Sequence, residues 1–297
     1  MKRAALAGAT AAALLAFAAN SWLCRAALRS AAIDPASFTA LRLPAGAATL
    51  LAVARVRDKR ALTALAPTRG AVASALALFA YAAAFSLAYL ALDAGLGALV
   101  LFGAVQLTMF AGGVAAGRRP SAGETCGMLV ALSGLALLGL PGRSAPPAAP
   151  VLSMAAAGVA WGVYSLRGRR ERSSPLVANA RNFALAVPFA LVLLAPAALS
   201  GGGAFAFALH ATPRGLVLAL VSGAVTSGLG YAIWYAALPA LSPAAAGVVQ
   251  LAVPIVAAAG GVALFGESFT LRLAVAGGLV LAGLALALFG PRGAAIR

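Results

Sequence analysis

The sequence has little charge and few groups that carry out enzymatic chemistry. Charged residues make up 9% of the 297 residues and apolar residues make up 63%, whereas about one quarter of a typical soluble domain is charged. This composition excludes a soluble globular protein, because water could not solvate so apolar a surface. The chain has six carboxylates and one histidine, His210, and they form no cluster along the sequence. We therefore predict that the protein is not an enzyme and binds no metal or cofactor.

Lysine and cysteine are also scarce. Neither of the two lysines, Lys2 and Lys59, follows a glycine, which excludes the phosphate loop of an ATP-driven pump. The two cysteines, Cys24 and Cys126, lie in or beside apolar runs, and no disulfide is expected between them. The net charge of +16 comes from basic residues between the apolar runs rather than from a basic helical stripe. We therefore expect no nucleic-acid partner.

What the chain does have is a series of long apolar runs. A helix needs about 20 apolar residues to cross a bilayer, and these runs predict an all-α integral membrane protein with ten transmembrane helices. The predicted spans cover residues 6–28, 36–54, 71–92, 96–117, 125–140, 151–166, 176–199, 215–238, 244–265 and 271–289. A Pro/Ala-rich linker at 142–150 separates the halves, 1–145 and 146–297. The first run resembles a cleaved signal peptide, but its continuation through Trp22 favours an uncleaved span.

The two halves contain similar motifs in the same order. Trp22 and Arg42 correspond to Trp161 and Arg181 at one shared offset. The other matching pairs are Tyr89-x-Ala-Leu with Tyr235-x-Ala-Leu, Gly112-Gly-Val with Gly260-Gly-Val, and Gly134-Leu-Ala-Leu with Gly283-Leu-Ala-Leu. We interpret the halves as copies of one five-helix repeat.

Positive charge is distributed unequally between the two ends of the predicted spans. With the N-terminus in the cytoplasm, fifteen of the 22 Lys and Arg residues lie in cytoplasmic loops and five lie in outer loops. Positive charge favours the cytoplasmic side, so both termini of this multi-pass protein are predicted to lie in the cytoplasm, on the inner side of a bacterial inner membrane. An odd number of spans per half then inverts the second repeat relative to the first.

A set of short motifs in a fixed order resembles a known transporter family. Each half has a Trp near the end of its first span, and the chain closes with Gly266-Glu267, Gly277 and Gly283-Leu-Ala-Leu. In this order the chain resembles the EamA branch of the drug/metabolite transporter superfamily, and its aromatic tracts are similar to those of bacterial aromatic amino acid exporters (YddG-like proteins). The resemblance implies export through a central cavity that lies between inverted repeats and opens alternately to the two sides.

The sequence also departs from the pattern of that superfamily. Gly117-Arg118-Arg119 stands where the first half would match Gly266-Glu267, which puts any role of a paired Glu in doubt. The four-helix multidrug exporters of the superfamily carry an essential Glu in their first helix, and the first span here has none. Proton antiport of that type is therefore not implied.

Polar and aromatic residues within the spans are the candidates for a solute site. Polar groups inside a bilayer are costly and mark bundle packing or a solute path, and aromatic rings stack on apolar solutes and attract ammonium groups. The predicted substrate-binding residues are Asn20, Trp22, Tyr81, Phe85, Tyr89, Gln106, Trp161, Tyr164, Tyr231, Trp234 and Gln250. The alternatives are hydrogen bonding between helices for the amides, and core packing or the interfacial aromatic belt for the rings.

Two arginines and three prolines within the spans are the candidates for a gate or hinge. Arg42 and Arg181 could form a gate or bind a carboxylate, although a long side chain near a span end can also extend to the interface. Pro44, Pro188 and Pro254 interrupt their spans and free backbone carbonyls. They are predicted hinges, with simple kinks as the alternative.

The resemblance implies export, and the aromatic residues suit solutes with large apolar side chains. We therefore predict an exporter of amino acids with aromatic or bulky apolar side chains, and of related metabolites or drugs. Its partners would be the small-molecule solute and the lipid bilayer, and the plan is compatible with a monomer. The carboxylates lie at span ends or in loops, so the spans offer no proton carrier, which favours gradient-driven uniport. The alternatives are a proton-coupled antiporter and a membrane scaffold that transports nothing.

Overall fold

A computed structural model of the chain describes residues 3–57, 66–117, 119–139, 146–168, 171, 173–194, 209–241, 249–250 and 252–289. These residues are almost entirely helical, and an isolated antiparallel bridge joins Ile33 to Ala211. The helices are α1 (Arg3–Arg29), α2 (Pro35–Arg57), α3 (Arg69–Ala88), α4 (Ala94–Ala115), α5 (Ala122–Gly139), α6 (Ala148–Gly168), α7 (Pro175–Val192), α8 (Pro213–Ala237), α9 (Ala252–Phe265) and α10 (Leu271–Phe289).

Length and apolarity show a multi-pass membrane protein. Within the described residues, seven helices are long and apolar enough to cross a membrane, namely α1 to α4 and α6 to α8. Three further apolar helices, α5, α9 and α10, are shorter by the same measure. Each helix coincides with a predicted apolar run. The ends of the runs at 176–199 and 244–265 lie partly outside the described residues.

Local sequence explains where several helices begin. Thr68, Ser174 and Thr212 each accept a first-turn backbone N–H through the side-chain hydroxyl, which satisfies a donor that a helix start leaves unpaired. Proline follows at 175 and 213, where its missing N–H costs nothing. The predicted linker 142–150 is partly wrong, because Ala148–Pro150 form the first turn of α6. Residues 142–145 lie outside the described residues.

Helix packing surrounds a central space. α3 packs on α6 and α7, α2 packs on α7 and α8, α4 packs on α6 and α9, and α1 packs on α8 and α9. α5 and α10 pack closely on each other and contact α4. Small residues allow that close approach, because a Cβ at Gly127 would collide with the backbone of Gly283.

α8 is not a regular α-helix throughout. Its middle segment, Ser222–Leu229, is a π-helix, and α-helical turns precede and follow it. A π turn contains more residues than an α turn, and such segments are common at functional sites. The segment places the side chains of Ser222, Thr226 and Ser227 in the protein interior.

Candidate functional site

A cavity of about 570 Å³ lies between the helices. Its walls come from α1, α3, α4, α6, α7 and α8, and Gln250 also contributes. Exposed residues Gly168, Glu171 and Pro175 belong to its lining, so it opens at the connection between α6 and α7. Its volume lies within the range of small-molecule sites, which is about 300–1,000 Å³.

Aromatic rings form one wall of the cavity, with Trp161 at their centre. The Trp161 ring centroid lies 4.9 Å from that of Tyr81, 5.3 Å from that of Tyr164 and 5.3 Å from that of Tyr231. Phe85 extends the wall, with its centroid 5.4 Å from Tyr81. These five residues come from α3, α6 and α8. Such a wall can stack on a flat apolar solute and attract a cationic group through the ring faces.

A second group of lining residues is polar. The Asn20 Oδ1 accepts a hydrogen bond from Ser222 Oγ at 2.7 Å. The Thr226 hydroxyl lies 3.1 Å from the same oxygen and 2.8 Å from the Ser222 carbonyl, and its one proton is shared between these two acceptors. These contacts join α1 to the π-helical segment of α8. On the other side, Tyr164 donates to Asn179 Oδ1 at 2.6 Å. Both amides are therefore held in fixed orientations against the cavity.

Arg42 lies directly behind the cavity wall. Its side chain is 2% exposed, and it donates from Nε to Ser227 Oγ at 3.2 Å and from Nη2 to Tyr81 Oη at 3.2 Å. The guanidinium carbon lies 5.4 Å and 5.2 Å from the ring centroids of Tyr81 and Phe85. The alternative in which Arg42 extends to the membrane interface is therefore wrong, because the whole side chain is buried among lining residues.

Arg181 is placed at the mouth of the cavity instead. It forms an ion pair with Glu171 in the connection between α6 and α7. The Ser173 backbone N–H donates to Glu171 Oε1 at 3.2 Å. This bond, followed by the contact with Arg181, lowers the pKa of Glu171 below its ordinary value. Glu171 is therefore ionised at neutral pH and pairs with a permanent cation.

The opposite end of the bundle is closed by a second group of ions. Arg25, only 1% exposed, donates from Nε to Glu267 Oε1 at 2.9 Å and from Nη2 to Asp93 Oδ1 at 2.6 Å. Glu267 also accepts the backbone N–H of Ala94 at 2.9 Å, and Arg29 contacts Asp93 at 3.1 Å. We call Arg25, Asp93 and Glu267 the ionic cluster. It joins α1, the start of α4 and the connection between α9 and α10.

The ionic cluster shows that carboxylates which form no cluster along the sequence can still lie together in the fold. Asp93 and Glu267 are distant in the sequence, yet both contact one buried guanidinium. Within the described part of the chain, no three His, Cys, Asp or Glu residues are placed to hold a metal ion. Cys24 is buried, Cys126 is exposed, and both are free.

The sequence model of the EamA-like transporter family matches residues 149–289. An uncharacterized protein of Pseudomonas aeruginosa is 49% identical over 285 residues, covering 96% of this chain and 95% of that protein. Residues 149–289 therefore form an EamA-like transporter domain. This domain indicates a membrane transporter of the drug/metabolite type, with a small-molecule solute. A solved crystal structure of a protein at 20% identity has a similar fold, with a TM-score of 0.65 over 96% of this chain and 98% of the other.

Most predicted binding residues of this EamA-like transporter lie on its cavity. The lining includes Asn20, Tyr81, Phe85, Gln106, Trp161, Tyr164, Tyr231, Trp234 and Gln250. Trp22 and Tyr89 lie elsewhere. Trp22 donates to the Ala257 carbonyl at 2.9 Å between α1 and α9, and Tyr89 is fully buried with its hydroxyl 3.3 Å from the Ala94 carbonyl.

The predicted hinges differ in their placement. Pro44 and Pro188 lie inside α2 and α7, where each removes a helical hydrogen bond. Pro254 lies in α9, shortly after the helical residues 249–250.

Several residues of this transporter's cavity were not among the predicted site residues. They include Phe17, Asn179, Asn182 and Ser227. The ring of Phe17 makes edge contacts with Tyr231 at 5.6 Å and Trp234 at 5.9 Å. Asn179 and Asn182 lie one turn apart in an apolar stretch of α7, and that spacing is a signal that would have marked them. Ser227 had no such signal, because serine is common within apolar helices.

Proposed function

We propose that this transporter exports amino acids with aromatic or bulky apolar side chains, and related small metabolites or drugs, by alternating access. The observation that carries the proposal is a cavity with an aromatic wall that opens at the Arg181–Glu171 end, with the ionic cluster at the opposite end of the bundle. The wall suits large apolar side chains. A solute in this cavity can leave at the far end once the ionic cluster separates.

The proposed architecture is ten spans in two inverted five-helix repeats, 1–145 and 146–297. The pattern of helix contacts supports it. If α1 to α5 correspond to α6 to α10, the contact of α3 with α6 has its counterpart in α8 with α1. The contacts of α4 with α6 and of α3 with α7 likewise have counterparts in α9 with α1 and in α8 with α2. The pairs α2–α7, α4–α9 and α5–α10 are their own counterparts, as a two-fold relation requires.

The orientation follows from the charge distribution. We expect a reporter fused at Arg57 to show a cytoplasmic location and one fused at Ser144 to show a periplasmic location. The reason is that basic loops favour the cytoplasm. Alkaline phosphatase and fluorescent protein fusions at both positions measure this. The reverse pattern would contradict the topology. In the expected orientation the cavity opens to the cytoplasm, and the ionic cluster closes the periplasmic end.

For the driving force we propose a solute gradient rather than a proton gradient. Asp93 and Glu267 both contact Arg25, and arginine keeps its proton in proteins. The buried Asp34 accepts the backbone N–H groups of Ser37 and His210, which stabilises its ionised form. We expect proteoliposomes to show solute flux in both directions according to the gradient, without accumulation when only a pH gradient is imposed. Radiolabelled solute flux measures both.

The ionic cluster also provides the observation that favours proton-coupled antiport as the second candidate, because it brings two carboxylates to one buried arginine. Uptake against a solute gradient, driven by pH and abolished by Asp93→Asn or Glu267→Gln, would establish antiport and contradict uniport. Absence of flux for every solute tested would instead favour a scaffold role.

A further inference from the structure

Two hydroxyl groups on the cavity surface are oriented by one guanidinium. Tyr81 and Ser227 both line the cavity, and Arg42 donates a hydrogen bond to each of their oxygens. Because both bonds come from one planar group, the two oxygens are held close together. Neither hydroxyl donates to an acceptor within the described residues. Each O–H is therefore left to donate to a group inside the cavity.

The amide of Asn20 supplies donors beside these hydroxyls. Its Oδ1 accepts from Ser222 of the π-helical segment, so the Nδ2 group keeps its two protons for another partner. Asn20 lines the same cavity as Tyr81 and Ser227. The cavity thus has three polar lining residues that each offer at least one N–H or O–H donor.

A positive charge lies behind these donors without a matching carboxylate. Arg42 forms no ion pair within the described part of the chain, and its Nη1 has no hydrogen-bond partner there. The rings of Tyr81 and Phe85 face the guanidinium, but ring faces offset a buried charge only in part. An anion bound at the hydroxyl pair would balance the remaining positive charge of Arg42. Because the dielectric constant is low there, that attraction would be strong.

We propose that Asn20, Tyr81 and Ser227 form a subsite for the carboxylate of the solute, and that Arg42 is the positioning residue that sets its charge preference. The inference rests on the proposed function, which it deepens by naming the group that the solute must carry. With the carboxylate at this subsite, an aromatic side chain would lie along the wall around Trp161. Amines that lack a carboxylate would meet an uncompensated like charge and be rejected.

The test uses four solutes that share a phenyl group: L-phenylalanine, its methyl ester, phenethylamine and 3-phenylpropionate. We expect phenylalanine and phenylpropionate to bind the purified protein, and the ester and the amine to bind at least about tenfold more weakly. Ser227→Ala and Tyr81→Phe should each weaken phenylpropionate binding about tenfold while leaving ester binding unchanged. Binding is measured by tryptophan fluorescence in detergent, and flux by counterflow in proteoliposomes.

Ser86→Ala is the matched control, because Ser86 is as buried as Ser227 but bonds to Thr39 and the Ala82 carbonyl away from the cavity. It should leave all four affinities unchanged. Equal binding of acid, ester and amine, or acid binding that is insensitive to both subsite variants, would overturn the subsite. Carboxylate-dependent binding without flux of any solute would support the subsite and contradict the transport proposal, so the two failures are distinguishable.

Discussion

Replacing Trp161 with alanine is expected to raise the half-saturation concentration of an aromatic amino acid about thirtyfold or more. Trp161 is the central ring of the cavity wall and contacts Tyr81, Tyr164 and Tyr231. Truncating a central aromatic anchor typically costs about 2 kcal/mol or more of binding, and each 1.4 kcal/mol is a factor of ten. Trp161→Phe keeps a ring and should recover most of the affinity. Counterflow at several solute concentrations measures both variants.

Trp22→Ala is the matched control for this prediction. It removes the same side chain from a site between α1 and α9 that does not line the cavity. We expect it to lower the stability of the folded protein while leaving the half-saturation concentration of the folded fraction unchanged. Equal affinities of Trp161→Ala and wild type would place Trp161 in the packing of the bundle rather than in the solute site.

The largest effect on stability is expected from Arg25→Ala. Arg25 is 1% exposed and Glu267 is 5% exposed, so removing the guanidinium leaves a buried carboxylate without its cation. Breaking one side of a buried ion pair typically costs about 3–5 kcal/mol. We expect the free energy of unfolding to fall by about that amount. Equilibrium unfolding of the purified protein in mixed micelles measures it.

Arg29→Ala provides the comparison, because Arg29 contacts the same Asp93 but is 62% exposed. An exposed ion pair contributes at most about 1 kcal/mol, so this variant should unfold nearly as wild type does. Replacing Arg25 and Glu267 together by leucine should recover much of the lost stability, since neither charge is then buried alone. A small effect of Arg25→Ala, similar to that of Arg29→Ala, would show that water reaches the cluster.

The positions of the helices could be predicted from the sequence because each apolar run ends at charge, glycine or proline. The run at 271–289 became α10 with the same bounds, and the run at 96–117 became α4 two residues earlier. The π-helical segment of α8, which packs against α2 and α1, could not be predicted, because its apolar and small residues are equally compatible with a regular α-helix. Apolarity alone also extended the seventh run past Val192, where α7 ends.

The cavity wall was partly predictable for a similar reason. Tyr81, Phe85 and Tyr89 follow helical spacing, but Tyr89 is the capping residue directly after α3, and its ring packs on Phe85 and beside Gly97. Helical spacing predicts which face of the helix a side chain lies on. It does not predict how far along the helix the cavity extends. The ionic cluster was beyond this reasoning, because Arg25 meets partners 68 and 242 positions away in the sequence.

The π-helical segment has a consequence for how cavities of this family can diversify. One residue gained or lost in an α-helix turns everything beyond it by about 100°, and a π turn absorbs such a change locally. Removing one residue between Ser222 and Leu229 would restore regular α-helical turns there and leave Tyr231, Trp234 and Tyr235 in the same register relative to the first part of α8. A single-codon deletion could thus remove a polar side chain of the segment without turning the aromatic face of α8. Relatives that differ in length at this point would keep the same aromatic wall and differ in the polar groups beside it.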